Sequence, residues 1–303
     1  MPLISVILVT YNRMRFLSLM LDSLRSQSFV DYELVLVNNG STDGTAPICQ
    51  AYVEADSRIK LITIPHNMGA SHGRNQGLSA ASGEYVTFVD DDDYCYPDML
   101  SFLARLVHED DVDIAMCGSY NDFGDRLEPY FIGEERIVLD RLQGLRELLQ
   151  RRIYNVAPPT KLFRRELWEG MAFPHQVLVD DIHIIYKVFE RARRLVVWNR
   201  PMYAFRKHTS NMTVFIHNRR ITPKLLDEYL TMYQTRAYYL LERAPEIAEA
   251  VESSIYSYMH SMCQLIAENS IAGCETQLRF MQDYVDNNRF DEIWVTGTGG
   301  EPS

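Results

Sequence analysis

Four consecutive aspartates, Asp90-Asp91-Asp92-Asp93, close the apolar run Tyr85-Val86-Thr87-Phe88-Val89. Carboxylates set side by side repel, and the end of a strand needs no such group as a cap. A divalent cation removes the conflict, because hard Mg2+ or Mn2+ takes carboxylate oxygens and often keeps phosphate oxygens as further ligands. An EF-hand calcium loop is excluded, since its spacing of oxygen residues and its glycine are absent. The competing reading is a solvated acidic turn. Polar groups interrupt two other apolar runs in the same way: Thr10-Tyr11-Asn12 after residues 3–9, and Asn38-Asn39-Gly40-Ser41 after residues 33–37.

Hydrophobic patterning supplies the elements that position these groups. Residues 3–9, 33–37, 59–64 and 85–89 read as buried strands. Between them, Phe16, Leu17, Met20, Leu21 and Leu24 recur at helical spacing. Ser41 or Thr42 can cap a second helix, and residues 70–81 read as a third. The alternation βαβαβαβ predicts a parallel, right-handed, doubly wound α/β sheet. Ligands of such sheets bind beyond the carboxyl ends of the strands. All three polar clusters lie at those ends, so they converge on one crevice although they are far apart in sequence.

The pattern then loosens. Residues 112–118 read as another strand, 139–151 and 164–170 as helices, 180–192 as a helix with Ile184, Ile185, Val188 and Phe189 on its apolar side, and 195–198 as a short strand. Beyond about residue 220 only helices are predicted, one starting at Thr222-Pro223, one at Pro245 and one over 276–285. Their apolar stripes fit packing within a helical bundle; a homodimer contact or peripheral lying on a membrane surface are the lesser readings. The Gly-rich end, 296–303, reads as disordered.

Bulk properties narrow the function classes. Of 303 residues 47% are hydrophobic, enough for one large domain with an appendage. Thirty Lys and Arg face 41 Asp and Glu, and the resulting net charge of −11 disfavours nucleic acid as a partner. Five scattered cysteines suggest neither a disulfide framework nor a zinc site. Residues 3–9 are too short, and lack the basic leader, to be a signal peptide, and no run approaches the roughly 20 apolar residues of a transmembrane segment. The expected location is cytoplasmic, with the inner face of the membrane as an option.

Four stretches in order, residues 6–12, Val37-Asn-Asn-Gly-Ser-Thr-Asp43, Asn67-Met-Gly-Ala-Ser-His-Gly-Arg-Asn75 and Gly83-Glu-Tyr-Val-Thr-Phe-Val-Asp-Asp-Asp-Asp-Tyr94, resemble the family 2 glycosyltransferases. The similarity covers roughly residues 1–215. It implies a GT-A-type fold over residues 1–218, a mostly parallel sheet flanked by helices, followed by an all-helical extension over 219–292 and a tail over 293–303. It also implies transfer of a sugar from a nucleotide-diphosphate donor to a saccharide or lipid-linked acceptor, with inversion and with Mn2+ or Mg2+.

The resemblance assigns roles residue by residue. Val9, Tyr11, Asn39, Arg74, Asp90 and Asp91 would bind the nucleotide, with Tyr11 against the base and Asn39 at its edge. Asp92 would ligate the metal, with Asp90 and His208 as further ligands. Arg206 and His208, in a stretch similar to the one that closes these catalytic domains, would face the diphosphate. Val179-Asp180-Asp181 resembles the acidic motif whose second aspartate deprotonates the acceptor, so Asp181 is the expected base with Asp180 beside it; acids favoured by a helix N-terminus are the plain alternative. Lys161-Leu-Phe-Arg-Arg165 matches a stretch read as structural. Two departures stand out: Asn38-Asn39 replaces the usual Asp-Asp, and His72 sits where a small residue is common. Uracil N3–H can still donate to an amide oxygen, so UDP stays the favoured nucleotide.

Three other functions fit the sequence less well. A Rossmann dehydrogenase is excluded, because the first strand runs into Thr-Tyr-Asn-Arg-Met with no Gly-rich turn. A sugar nucleotidyltransferase lacks its Gly-rich basic loop here. A non-catalytic sugar-binding subunit would have no need of the retained carboxylates.

Overall fold

The computed structural model describes residues 1–208, 211, 221–287 and 290. The chain forms two compact units, Met1–Gly144 with Arg151–His208, and Leu145–Gln150 with Thr209–Ser303.

The first unit is built on a mixed sheet. Its strands are β1 (Ile4–Thr10), β2 (Tyr32–Asn39), β3 (Ile59–Ile64), β4 (Tyr85–Asp90), β5 (Tyr94–Cys95), β6 (Ile114–Asp122), β7 (Leu127–Tyr130), β8 (Arg136–Asp140), β9 (Lys161–Arg164) and β10 (Arg194–Arg206). The order is β3-β2-β1-β4-β9-β6-β10-β5, with β7 on β6 and β8 on β10. The predicted parallel alternation holds for β1 to β4, whose neighbours in the sheet pair in parallel. Beyond β4 the sheet changes character. β9 slots antiparallel between β4 and β6, while β6 and β10 keep the parallel direction.

The helices that interleave are α1 (Leu17–Arg25), α2 (Thr45–Ala55), α3 (Ala70–Ala80), α4 (Met99–Asp110), α5 (Arg141–Gln150) and α6 (Ile185–Arg191). One face of β1, through Ile4, Val6 and Leu8, joins Leu17, Met20, Leu21 and Leu24 of α1 and Leu100, Leu103 and Val107 of α4 in one core. Each such side chain contributes about 1.5–3 kcal/mol on burial. On the other face α3 lies almost in contact with β1. A Cβ on Gly73 would sit 2.4 Å from Val9 Cγ1, and one on Gly77 would sit 2.4 Å from Ile7 Cγ2. Those two glycines set the height of α3 over the strand, and with it the reach of the side chains on its first turns.

Three sequence expectations change. The helix expected near 164–170 is only a 3-10 turn, Arg165–Trp168, directly after strand β9. Leu162 and Phe163 are fully buried there, because a short extended segment fills the gap between β4 and β6 where a helix would not fit. The helix expected over 180–192 is a 3-10 turn, Asp181–His183, and then the shorter α6. The strand expected at 195–198 runs on to Arg206 past an irregularity around Pro201, a residue that cannot donate to a ladder. Near 139–151, β8 comes first, and α5 then starts behind a reciprocal cap: Gln143 N donates to Asp140 Oδ1 and Asp140 N to Gln143 Oε1.

The second unit is helical where described, with helices Pro223–Arg243, Ala248–Glu268 and Glu275–Asn287. Thr222 caps the first, its hydroxyl accepting from Leu225 N at 3.2 Å. Pro245 opens a 3-10 turn, Pro245–Ile247, ahead of the second. Buried Arg236 donates to Ser254 Oγ at 2.6 Å and lies 4.4 Å from the Tyr233 ring. Among the described residues no helix is long and apolar enough to cross a membrane. The tail expected over 293–303 lies outside the described residues.

At the edge of the sheet opposite the strand carboxyl ends, Glu33 is buried on β2 and ties several strands together. Its carboxylate accepts from Ser5 Oγ at 2.6 Å, Ser82 N at 2.7 Å and Ser82 Oγ at 2.8 Å, and it pairs with Lys60 at 2.5 Å. Burial alone would raise its pKa, but the Lys60, Ser5 and Ser82 hydrogen bonds outweigh it and bring it down to about 2. A depressed carboxylate stabilises the fold above its unfolded pKa and loses that contribution as pH falls through the folded value. Glu33→Gln is therefore expected to lower stability by roughly 2 kcal/mol at pH 7. Its deficit in urea unfolding should shrink as pH drops from about 4.5 toward about 2. Gly77→Val should cost about 1–3 kcal/mol in the same assay through overpacking against Ile7.

Candidate active site

Parallel pairing brings the polar strand ends level. Val9 of β1 lies beside Val37 of β2 on one side and Asp90 of β4 on the other, and Thr10 lies beside Asn38. Asp90 ends β4, and the other aspartates turn away from it in different directions. Asp93 is spoken for: it accepts from Tyr203 Oη at 2.8 Å and Arg206 N at 2.8 Å, while Asp90 N donates to the same Tyr203 Oη at 3.1 Å. Asp93 thus ties the turn to β10. Burial, then Asp90 and Asp92, push its carboxyl well above the usual range.

The remaining three face cations. Asp92 Oδ2 lies 3.0 Å from His208 Nε2 and 3.6 Å from Arg13 Nη2. Asp91 Oδ1 accepts from Arg13 Nε at 3.3 Å. Asp90 Oδ1 lies 3.5 Å from Arg74 Nη2, with 40% of its side chain open to the crevice. Burial pushes Asp90 up to about 6, opposed by Arg74 and assisted by Asp92, Asp181 and Asp180. Burial and then Asp92 push Asp91 up to about 7, against a Thr10 hydrogen bond and Arg13. Both shifts start from burial, and crowded negative charge adds to it.

Arg74 links this cluster to the second acidic pair. Its Nη1 lies 2.5 Å from Asp180 Oδ1 and 2.6 Å from Oδ2, and Ser71 Oγ, one turn earlier on α3, donates to Asp180 Oδ2 at 3.2 Å. The guanidinium lies 5.5 Å from the Phe173 ring. Asn75 holds Phe173 by both its backbone groups, at 2.8 and 2.9 Å. Burial works against the Arg74 charge, but Asp180 and Asp90 outweigh it and raise its pKa.

Asp181 follows at the start of the 3-10 turn. Its Oδ1 is buried and has no hydrogen-bond partner among the described residues. Burial and then Asp180 raise its pKa, with Arg74 opposing. Lys161, fully buried on β9, donates to Ala157 O at 2.6 Å. Burial lowers its pKa to about 7, against the attraction of Cys117 and Asp181.

Tyr11 is 39% exposed at the end of β1. The loop beyond it is stapled to the β2–α2 turn: Asn12 N donates to Ser41 Oγ at 3.1 Å, Thr42 N to Asn12 Oδ1 at 2.8 Å, and Arg13 N to Thr45 Oγ1 at 2.8 Å. Asn39 is buried, and its amide is used in both senses. Nδ2 donates to Asn67 Oδ1 and Gly69 O, and Oδ1 accepts from Met68 N. An aspartate could not make the two donations, which accounts for the amide at this position. His72, left unassigned by sequence, lies 5.9 Å ring to ring from His175.

His208 stacks on Phe16 at 4.4 Å, and the Arg206 guanidinium lies 5.2 Å from the same ring. Residues 209 and 210 of that stretch lie outside the described residues. Arg13, Phe16, Ser71 and Phe173 were not foreseen. Arg13 had a signal, a basic residue directly after Tyr11-Asn12 at a strand end opposite acids; Phe16 was absorbed into the apolar stripe of α1, and nothing marked Ser71 or Phe173.

Among the described residues no three His, Cys, Asp or Glu side chains converge as a metal cage. Asp92 and His208 nevertheless offer an oxygen and a nitrogen 3.0 Å apart. That is the separation of two adjacent ligands on an ion with bonds of about 2.1 Å at right angles. Ions of the Mg2+ class commonly take only one or two protein ligands and fill the rest with substrate phosphates and water. The donor set fits such an ion; Asp90, expected to join it, faces Arg74.

Residues 5–171 match the sequence model described as "Glycosyl transferase family 2". The chain is 28% identical over 219 residues to glycosyltransferase GlyG of Streptococcus pneumoniae, covering 69% of this chain and 72% of GlyG. Its fold is similar to that of S. aureus TarS 1-349 in complex with UDP-GlcNAc (TM-score 0.68, 20% identity, 94% of this chain and 92% of the other). It is also similar to the mannosyltransferase PcManGT of Pyrobaculum calidifontis in complex with GDP-Man and Mn2+ (TM-score 0.55, 19% identity, 97% and 88%). With its GT-A-type sheet and its ordered strand-end motifs, the chain belongs to glycosyl transferase family 2.

Proposed function

We propose that the chain moves a sugar from a UDP-sugar to a hydroxyl of a saccharide or lipid-linked acceptor, inverting the anomeric centre with the help of a divalent cation. One observation carries this reading. A single guanidinium, Arg74, reaches Asp180 at 2.5 Å and Asp90 at 3.5 Å, so the cation-seeking cluster and the candidate base lie within one crevice. The likeness to TarS in complex with UDP-GlcNAc supports a uridine donor.

In this reading Tyr11 and Val9 border the base pocket, Asn39 shapes it by holding the 67–69 turn, and Asp90 and Asp91 take the ribose side. Asp92 and His208 hold the cation, which would neutralise charge on the departing diphosphate. Arg74, Arg206 and His208 add fixed positive charge along the same path. Asp181 takes the proton as the acceptor oxygen attacks. Its raised pKa makes it a stronger base than an ordinary aspartate, and its unpartnered Oδ1 leaves a lone pair for the acceptor hydroxyl. Asp180 positions Arg74 and keeps negative charge beside Asp181. Acceptor contacts fall to segments within residues 119–176, with 1–218 as the catalytic domain.

Two measurements test the assignment. UDP with Mn2+ should raise the melting temperature more than UDP or Mn2+ alone, and Asp92→Asn should remove the Mn2+-dependent part. Asp181→Asn should retain the UDP and Mn2+ shift but slow release of UDP from a donor panel by about 10²–10⁴-fold. Turnover within a few-fold of the parent would show that Asp181 is not the base.

A further inference from the structure

We propose that Arg13 is a resident counter-cation of the aspartate cluster, and that it couples metal binding to diphosphate binding by competing with the metal for one oxygen of Asp92. The inference rests on the reading above in which Asp92 and His208 hold the cation. Arg13 is a positioning residue in this scheme, one that touches the metal's ligand.

Three features lead to it. First, the Arg13 side chain spans two acids, with Nε 3.3 Å from Asp91 Oδ1 and Nη2 3.6 Å from Asp92 Oδ2. Second, the oxygen met by Nη2 is the one that lies 3.0 Å from His208 Nε2. An ion held between Asp92 and His208 shares that oxygen with a guanidinium, and the two positive charges oppose each other at close range. Third, the Arg13 backbone is anchored while its side chain stays partly open. Arg13 N donates to Thr45 Oγ1 at 2.8 Å, yet 21% of the side chain remains open. The guanidinium can therefore turn toward a new partner without moving the loop.

The consequence is a linkage. With no nucleotide present, Arg13 pairs with Asp91 and Asp92 among the described residues, and it weakens the hold of Asp92 on a metal. A diphosphate entering the crevice offers Arg13 anionic oxygens with which its fork can pair. Asp92 Oδ2 is then released to the ion. Metal and nucleoside diphosphate each strengthen the binding of the other, by the same factor. Metal alone binds weakly, which keeps the site from holding an ion without its substrate.

The test is the affinity of the full chain for Mn2+, read from the free-ion signal in electron paramagnetic resonance, with and without UDP. Arg13→Met should bind Mn2+ alone about fivefold or more tightly than the parent, and the gain in affinity on adding UDP should shrink by a similar factor. Arg13→Lys keeps a cation within reach and should behave like the parent. Melting temperatures confirm that both variants fold, the Met variant lower in the absence of metal because Asp91 and Asp92 lose a counter-charge. If the parent binds Mn2+ in the presence of UDP but Arg13→Met gains no affinity for Mn2+ alone, the coupling proposal is wrong and the metal reading stands. If the parent binds no Mn2+ even with UDP, both fall.

Discussion

Carboxylates crowded beyond β4 create an electrostatic demand that much of the surrounding structure answers. Asp90, Asp91 and Asp93 are all shifted toward the neutral form by burial and by neighbouring carboxylates, Asp92 among them in each case. Such a cluster persists only where other elements bring donors and cations to it. β10 supplies Tyr203 Oη and the Arg206 amide to Asp93, and its end supplies His208 to Asp92. The loop after β1 supplies Arg13, and α3 supplies Arg74. These donors come from three separate parts of the chain, β10 with its end, the loop after β1, and α3, so the acids and the fold constrain each other.

The arrangement gives the four aspartates unequal duties. Asp93 has two good donors and serves the architecture. Asp92 pairs with a histidine whose ring is fixed by stacking on Phe16. Asp91 shares its cation, and Asp90 keeps the largest open surface of the pairs that reach the crevice. A reaction that develops negative charge on a diphosphate needs positive charge to move or be recruited, while the architecture stays still. Dividing the cluster into a fixed member and exchangeable ones meets both requirements.

Placement of Arg74 depends on packing far simpler than its chemistry. Two glycines, Gly73 and Gly77, let α3 lie against Val9 and Ile7, and Ser71 and Arg74 then reach Asp180 together. Phe173, pinned by Asn75, backs the guanidinium. The same Asp180 that satisfies Arg74 adds to the proton affinity of Asp181. One contact therefore both balances the buried charge of Arg74 and raises the proton affinity of Asp181.

The first ninety residues were legible because β1, β2 and β4 are buried on both faces and read as continuous apolar runs, and because parallel pairing puts the carboxyl ends of β1 to β4 at one level. That was enough to bring Tyr11, Asn39 and Asp90 together from sequence alone, and the ordered motifs carried the family. What lies beyond β4 was not legible to the same degree. β9 is only four residues long and carries no strand pattern of its own, and its antiparallel insertion is decided by the gap it fills between β4 and β6. Likewise, side-chain partners are properties of three-dimensional neighbourhoods. Composition cannot say that Asn39 spends its amide on the 67–69 turn, that Asp93 ties down β10, or that Arg13 and His208 meet the same oxygen of Asp92. Local patterning determines which residues stand at strand ends, because burial has a short period along the chain; which of those residues touch is settled only when elements distant in sequence close on one another.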